Sequence, residues 1–176
     1  MTLLRILIIF SLVFSCAPKK DQNDTTVIPA PRINCPEEGN CSFEVLQNSS
    51  LSLKTDEFGK RYPLIEEGEK TVIRYNFKRK TPPDAMDASY SEYVLFEIDP
   101  GRVELSLRDE ELQKVKMTFG RICYCKSSVG YFPVTQGQLF IYQNKGHLQL
   151  RSSFKMRKIP QVVTNIDENI QYYLKN

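Results

Sequence analysis

Five cysteines, one histidine and three glutamate doublets are the residues of this chain whose types and spacing could do chemistry. Cys16 stands apart, at the end of an N-terminal apolar run. The other four cysteines fall in two close pairs, Cys35 with Cys41 and Cys123 with Cys125. An even set of cysteines reads as disulfides wherever a chain is exported to an oxidising compartment. Four thiols permit three pairings, and two arrangements stand level. In one, Cys35 and Cys41 close a small turn-rich loop while Cys123 bridges Cys125. Residues two apart in a strand share a face, and a bridge between such neighbours strains the geometry. In the other, Cys35 and Cys41 are stapled across to Cys123 and Cys125. A zinc site would need four thiolates in an oxidising compartment, so neither a metal nor a cofactor is expected.

His147 lies beside a hairpin turn and reads as a turn residue in water. With one histidine in the chain, Ser-His-Asp and Cys-His schemes and histidine-based metal sites are not expected. The doublets Glu37-Glu38, Glu66-Glu67 and Glu110-Glu111 are adjacent in sequence. Paired glycosidase acids need a separation of about 5 to 9 Å across a cleft. Adjacent strand residues point to opposite faces. The doublets therefore read as solvated charge, and no catalytic residue is assigned. Distant carboxylates that the fold brings together stay open at this point.

Two sets of residues could bind a partner. Arg121, Tyr124, Lys126, Tyr131 and Phe132 cluster aromatics beside bases, a combination that grips sugars, peptides or anions. Arg151, Lys155 and Arg157 form a basic row on one strand face, joined by Arg74 and Lys78 if their strands are neighbours. The bland reading of that row is a solvated face or a guard against edge pairing.

The N-terminus carries a different chemistry. Leu3 to Phe14 is apolar apart from Arg5, and Ser15 precedes Cys16. A transmembrane span needs about 20 apolar residues, and this run stops at Pro18 and Lys19-Lys20-Asp21. A basic start, a short apolar core and a small residue before a cleavage point describe a secretory signal. With a cysteine directly after it, the stretch Leu12-Val13-Phe14-Ser15-Cys16 resembles the lipobox of bacterial lipoproteins. Val13 and Ser15 fit that pattern, and Phe14 stands where a smaller residue is usual. The resemblance implies that residues 1–15 are removed, that Cys16 carries diacylglycerol, and that its new amino group is acylated by a palmitate-type chain. Several chains give a stable anchor at about 0.8 kcal/mol per buried methylene. Residues 16–34, with their charges and prolines, read as an extended tether. Lysines and acids close behind the cysteine also resemble the surface-export signal of Bacteroidota lipoproteins. The expected location is the cell envelope at the outer membrane, with the face left open.

Residues 35–176 suit one domain. The chain has 24 Lys plus Arg, one of them Arg5 in the leader, against 21 Asp plus Glu, so the mature part is near neutral. That is not the footprint of a nucleic-acid binder. Apolar and aromatic residues are plentiful enough for a packed core.

The elements that would position these residues are mostly strands. Phe43 and Val45 alternate with Ser42 and Glu44, and Asn48-Ser49-Ser50 reads as a turn before Leu51 and Leu53. Asp56-Glu57-Phe58-Gly59 is a second turn. Ile73, Tyr75 and Phe77 form an inward face, as do Val94, Phe96 and Ile98, then Val103, Leu105 and Leu107. Asp109 to Phe119 reads as a short helix with Asp109 as cap, Glu110 paired with Lys114, and Gly120 beyond its last turn. Leu139 to Tyr142 is apolar on both faces and so central. Asn144-Lys145-Gly146 is a hairpin turn, and Leu148, Leu150, Ser152, Phe154 and Met156 share one parity. Thr164 with Asp167 resembles a capping box for a closing helix through Ile166, Ile170 and Tyr173. The fold expected is mainly β: an antiparallel β-sandwich or strongly bent sheet, with an open barrel as the alternative, and one or two short helices.

Lys54-Thr55-Asp56-Glu57-Phe58-Gly59, the run Gly120 to Cys125 and Gly130-Tyr131-Phe132 are similar to segments of small lipoproteins of the Bacteroidota, over about Cys35 to Ile166. That likeness implies no particular activity. The expected function is a membrane-anchored binding or assembly module with an envelope protein or glycan as partner. An anchored hydrolase of envelope glycans and a structural accessory of an outer-membrane complex are the alternatives.

Overall fold

The computed structural model describes the backbone of residues 25–29 together with residues 35–81, 85, 87–101 and 103–172. The leader, Cys16 and most of the expected tether lie outside the described residues, as do Pro82, Pro83, Asp84, Arg102 and Tyr173. The strands are β1 Thr25–Pro29, β2 Gly39–Thr55, β3 Arg61–Glu67, β4 Lys70–Arg79, β5 Tyr90–Ile98, β6 Val103–Arg108, β7 Thr118–Cys123, β8 Gly130–Pro133, β9 Gly137–Asn144, β10 His147–Phe154 and β11 Asn165–Gln171. A 3₁₀ helix spans Asp109–Val115.

Among the described residues the strands make two antiparallel sheets. One has seven strands in the order β1-β2-β4-β5-β7-β8, with β3 also on β2; the other runs β11-β10-β9-β6. The larger sheet curls strongly, as a half-barrel. Strand alternation accounts for the core between them. Phe43, Val45, Ile73, Tyr75, Phe77, Val94 and Phe96 face inward from the large sheet. Leu139, Ile141, Leu148, Leu150, Ile166 and Ile170 meet them from the small one. The β9–β10 hairpin closes through Lys145 and Gly146, both at positive φ. This is the two-residue turn whose twist suits a hairpin, and Gly146 takes the second such position without a Cβ penalty.

Four expectations change. Asn48-Ser49-Ser50 is not a turn: β2 runs through it with a register shift between Leu46 and Ser49 and Asn48 at φ 52. A bulge there adds one residue and reverses which parity faces which side. Phe43 and Val45 thus enter the main core, while Leu51 joins Leu46, Val72 and Leu95 in a second core on the other face of the large sheet. The far half of β2 and β3 form an arm over that second core.

The helix after β6 ends at Lys116, which takes a left-handed conformation. It is 3₁₀, so residues three apart are eclipsed, and Lys114 pairs with Glu111 at 2.6 Å in place of Glu110. Asp109 is no cap; its Oδ1 accepts the Gly137 N–H at 2.9 Å. Gly120 lies inside β7, where a Cβ would fall 2.4 Å from the Tyr131 ring. The closing helix is the strand β11 instead. Ile166, Glu168 and Ile170 point inward, and Asp167 faces Arg151 across the β10 pairing. Ile166 and Ile170 are four apart, which suits either period, and a glutamate at the core position between them hid the alternation. Finally, Thr25–Pro29 pairs with β2, so the sheet takes in part of the segment expected as tether.

Candidate functional site

The corner joining β7 to β8 gathers the chemistry. The β7 and β8 strands are antiparallel with Arg121 opposite Gly130. The residues between them are held from two directions. Cys123 is bonded to Cys125. The Arg121 guanidinium donates from Nη1 to the carbonyls of Ser127 at 3.1 Å and Ser128 at 3.3 Å. Its Nη2 lies 3.4 Å from Cys125 Sγ, and its Nε donates to the Tyr90 hydroxyl at 3.4 Å.

Tyr90 is the post on which this arginine rests. The Arg79 guanidinium lies 4.2 Å from the Tyr90 ring centroid and that of Arg121 5.4 Å, within cation–π range. The Tyr90 hydroxyl donates to Glu92 Oε1. Burial first, then that hydrogen bond, pushes the Tyr90 phenol above its ordinary range, while Arg121 pulls the other way. Glu92 is fully buried. Its two oxygens also accept the Val162 and Val163 N–H groups, each at 2.7 Å. A buried carboxylate with three donors is satisfied, and it ties the segment before β11 to the large sheet.

The curl of the large sheet brings the arm's tip to the other side of β8. Asp56 builds the tip: its Oδ1 accepts the Phe58 N–H at 2.9 Å and the Lys60 N–H at 2.7 Å, and Gly59 sits at φ 75. This is the turn that the sequence indicated. Between tip and β8 runs a groove of about 260 Å³, lined by Lys60 and Arg61 on one side and Gly130, Tyr131 and Phe132 on the other. Phe58 and Tyr62 flank the lining residues of the tip. Ile122 and Tyr124 flank the β7 end. These four are exposed at 79%, 44%, 40% and 83%.

The expected aromatic and basic cluster is therefore only partly one surface. Tyr124 and Lys126 are exposed at the corner, and Phe132 lines the groove. Tyr131 turns to the opposite face from Arg121, packing on Tyr93 with ring centroids 6.2 Å apart, and burial raises its phenol. Arg121 supports the loop. The second expected surface does not assemble, because β4 and β10 belong to different sheets. Arg74 pairs with Glu44 on β2, and Arg151 lies 3.6 Å from Asp167. Lys155 borders a separate groove of about 510 Å³ with Met156 and Ile159, and Arg157 is exposed beyond it.

The cysteines pair locally, Cys35 with Cys41 and Cys123 with Cys125, so the cross-staple is excluded. His147 opens β10 beside the hairpin turn. The three glutamate doublets are exposed. Sequence reasoning missed the buried acids Glu92, Glu97 and Glu168. Glu92 was legible, since it shares parity with Val94, Phe96 and Ile98. Glu168 lies in the core at the β11 position opposite Leu150, with no hydrogen-bond partner on Oε2 among the described residues. Burial, with a smaller push from Asp167, raises its carboxyl to about 7. The Glu168 and Glu92 charges both add to the rise of the buried Tyr75 phenol, whose first cause is burial.

No family model, no curated protein and no solved structure matches this chain.

Proposed function

We propose that the protein is a binding or assembly module of the cell envelope, anchored through an acylated Cys16, and that it engages a protein partner along the groove between the arm tip and β8. The observation that carries this reading is the groove between the arm tip and β8, lined by Lys60, Arg61, Tyr131 and Phe132, with exposed Phe58 and Tyr62 adjoining its lining residues in the chain and Ile122 and Tyr124 exposed at the β7 end. Apolar side chains gathered in water and rimmed by cations mark interaction surfaces, and aromatic anchors beside arginine are the common hot-spot chemistry. Lys60 and Arg61 supply the cations. The edge strand β8 adds backbone groups that an extended partner can pair with.

The buried acids favour this reading over a glycan hydrolase. Both Glu92 oxygens hold N–H groups of the chain itself, and Glu168 lies in the core between two sheets. Neither faces the groove. A photo-crosslinking side chain placed at Tyr124 in the full chain, in cells, tests the surface. The expected product is a discrete protein adduct that Phe58→Ala with Tyr62→Ala abolishes. An adduct with polysaccharide alone, or one indifferent to both substitutions, refutes it. Cys16→Ser tests the anchor separately: the protein should leave the membrane fraction, and unchanged pelleting refutes acylation.

A further inference from the structure

We propose that the Cys123–Cys125 disulfide is a thiol–disulfide exchange site that oxidises pairs of thiols on a protein segment. Its position argues against a purely structural bond. The ring it closes contains one intervening residue, Tyr124. A cross-link over so short a loop removes little freedom from the unfolded chain, and it joins no two elements that β7 does not already join. Cys125 is exposed, Cys123 is half-buried against the edge of the main core, and Tyr124 presents its ring to solvent between them. Exposed disulfides are the labile, regulatory or catalytic ones.

The second observation is the cation. Arg121 Nη2 lies 3.4 Å from Cys125 Sγ, and its other nitrogens are fixed by Tyr90, Ser127 and Ser128. A guanidinium at that distance favours a thiolate on Cys125 and makes it the better leaving sulfur. The other disulfide differs in two respects. Cys35 and Cys41 are both half-buried against the main core, as Cys123 is, so it has no exposed cysteine like Cys125. The group beside Cys41 Sγ is the neutral Tyr75 hydroxyl at 2.8 Å.

The exchange runs in two displacements. A substrate thiolate attacks Cys123 Sγ. The Cys123–Cys125 bond breaks, and its electron pair leaves on Cys125 as a thiolate beside Arg121. The substrate is now joined to Cys123 by a mixed disulfide. Its second thiolate attacks its own bonded sulfur, closes a substrate disulfide and expels Cys123 as a thiolate. The substrate has lost two electrons and two protons, and the protein has gained both as a dithiol. Return to the starting state takes a more oxidising disulfide, such as oxidised glutathione, which is reduced in turn. The groove between the arm tip and β8, with Phe58 and Tyr62 adjoining its lining residues, would hold the substrate segment. In this the inference rests on the surface reading, while the chemistry can be measured without it.

The test uses the purified full chain, acylated and in detergent, with a synthetic peptide bearing two reduced cysteines. Acid quenching, alkylation and peptide mapping then follow each disulfide. Cys123–Cys125 is expected to open on the order of tenfold faster than Cys35–Cys41, releasing one peptide disulfide per protein dithiol. Equal rates, or no peptide disulfide, overturn the proposal. Arg121→Gln should slow the opening about threefold and move alkylation of reduced Cys125 to higher pH, with Arg121→Lys restoring most of both. An Arg121→Gln protein that folds and shows neither change overturns the role of the cation. Should Arg121→Gln fail to fold, Cys125→Ser decides: its lone Cys123 thiol must capture an oxidised peptide as a stable mixed disulfide, and no capture refutes the site. The crosslink at Tyr124 reports on the surface independently of these rates.

Discussion

The two faces of the seven-stranded sheet are built on different physics, and β5 carries both. Its Val94, Phe96 and Ile98 enter a core that continues without a break into the small sheet. Its Leu95 enters a second core that, among the described residues, contains Leu46, Leu51 and Val72 besides, with Ile65, Tyr93 and Tyr131 packed around it. That small patch is held by a polar clamp. Glu97 Oε2 accepts the Leu51 N–H at 2.8 Å, and Lys116 Nζ donates to the Leu51 carbonyl at 2.7 Å. Glu97 and Lys116 pair at 2.7 Å. Both backbone groups of one arm residue are thus gripped by side chains from the sheet and its flank. The larger face holds its layers chiefly by apolar area, with Glu92 as a polar tie to the segment before β11; four side chains under a bent hairpin depend far more on directed bonds. The difference should appear as two levels of stability, global for the inner face and local for the arm.

The largest effect is expected where the two faces are compared in adjacent residues. Phe96→Ala should cost about 3–5 kcal/mol of global stability, read as a lower denaturant midpoint. Leu95→Ala should cost about 2 kcal/mol, at the low end for leucine, because the arm can collapse onto the gap. Its signature should be loss of hydrogen-exchange protection in β3 with protection in β9 and β10 retained. If Leu95→Ala strips protection from both sheets alike, the division into two levels is wrong.

That division also explains what the sequence could show. The inner face was legible because strict alternation places Ile73, Tyr75 and Phe77, or Leu148 and Leu150, on one side, and Lys145-Gly146 has few conformations open to it. The arm was not. A bulge at Asn48 looks like a turn in sequence, and the parity reversal it causes appears only once Leu51 is seen with Leu46. The β11 strand was misread because a glutamate interrupts its apolar face. The corner was half legible: Arg121, Tyr124 and Lys126 are neighbours along the chain. Lys60 and Arg61 of the arm tip meet β8 only through the curl of the sheet, which no local pattern encodes.

Glu168 tests the inner face by pH. Burial raises its carboxyl from the ordinary value of 4.5 to about 7 in the folded chain. Below about 4.5 the group is neutral in both states and its burial costs nothing electrostatic. Between about 4.5 and 7 the unfolded chain loses the proton while the folded chain keeps it. The unfolded state then binds fewer protons, so stability falls as pH rises. Above 7 the penalty is complete, on the order of 3 kcal/mol at most. Glu168→Gln should therefore raise stability at pH 8 relative to the parent and flatten the fall between pH 4.5 and 7. A parallel pH profile for the two proteins would mean that the acid is hydrated in solution and that the inner face is less tightly closed than described.

The smallest of these effects belongs to the clamp. Breaking a buried ion pair costs about 3–5 kcal/mol when the abandoned charge stays buried. Here the partner left behind is Lys116, whose side chain is 46% exposed. It can return to water, so Glu97→Ala should cost only about 1–2 kcal/mol, chiefly from the unpaired Leu51 N–H. Glu97→Gln keeps an acceptor for that N–H and should cost less. Both should act on the arm: faster amide exchange at Leu51 and along β3, with the denaturant midpoint of the whole domain shifted less than by Leu95→Ala. The order Ala above Gln is the discriminating result. If Gln is as damaging as Ala, the charge pair with Lys116 holds the arm and the hydrogen bond to Leu51 does not. If neither loosens β3, the four apolar side chains suffice by themselves, and the two faces differ in area alone.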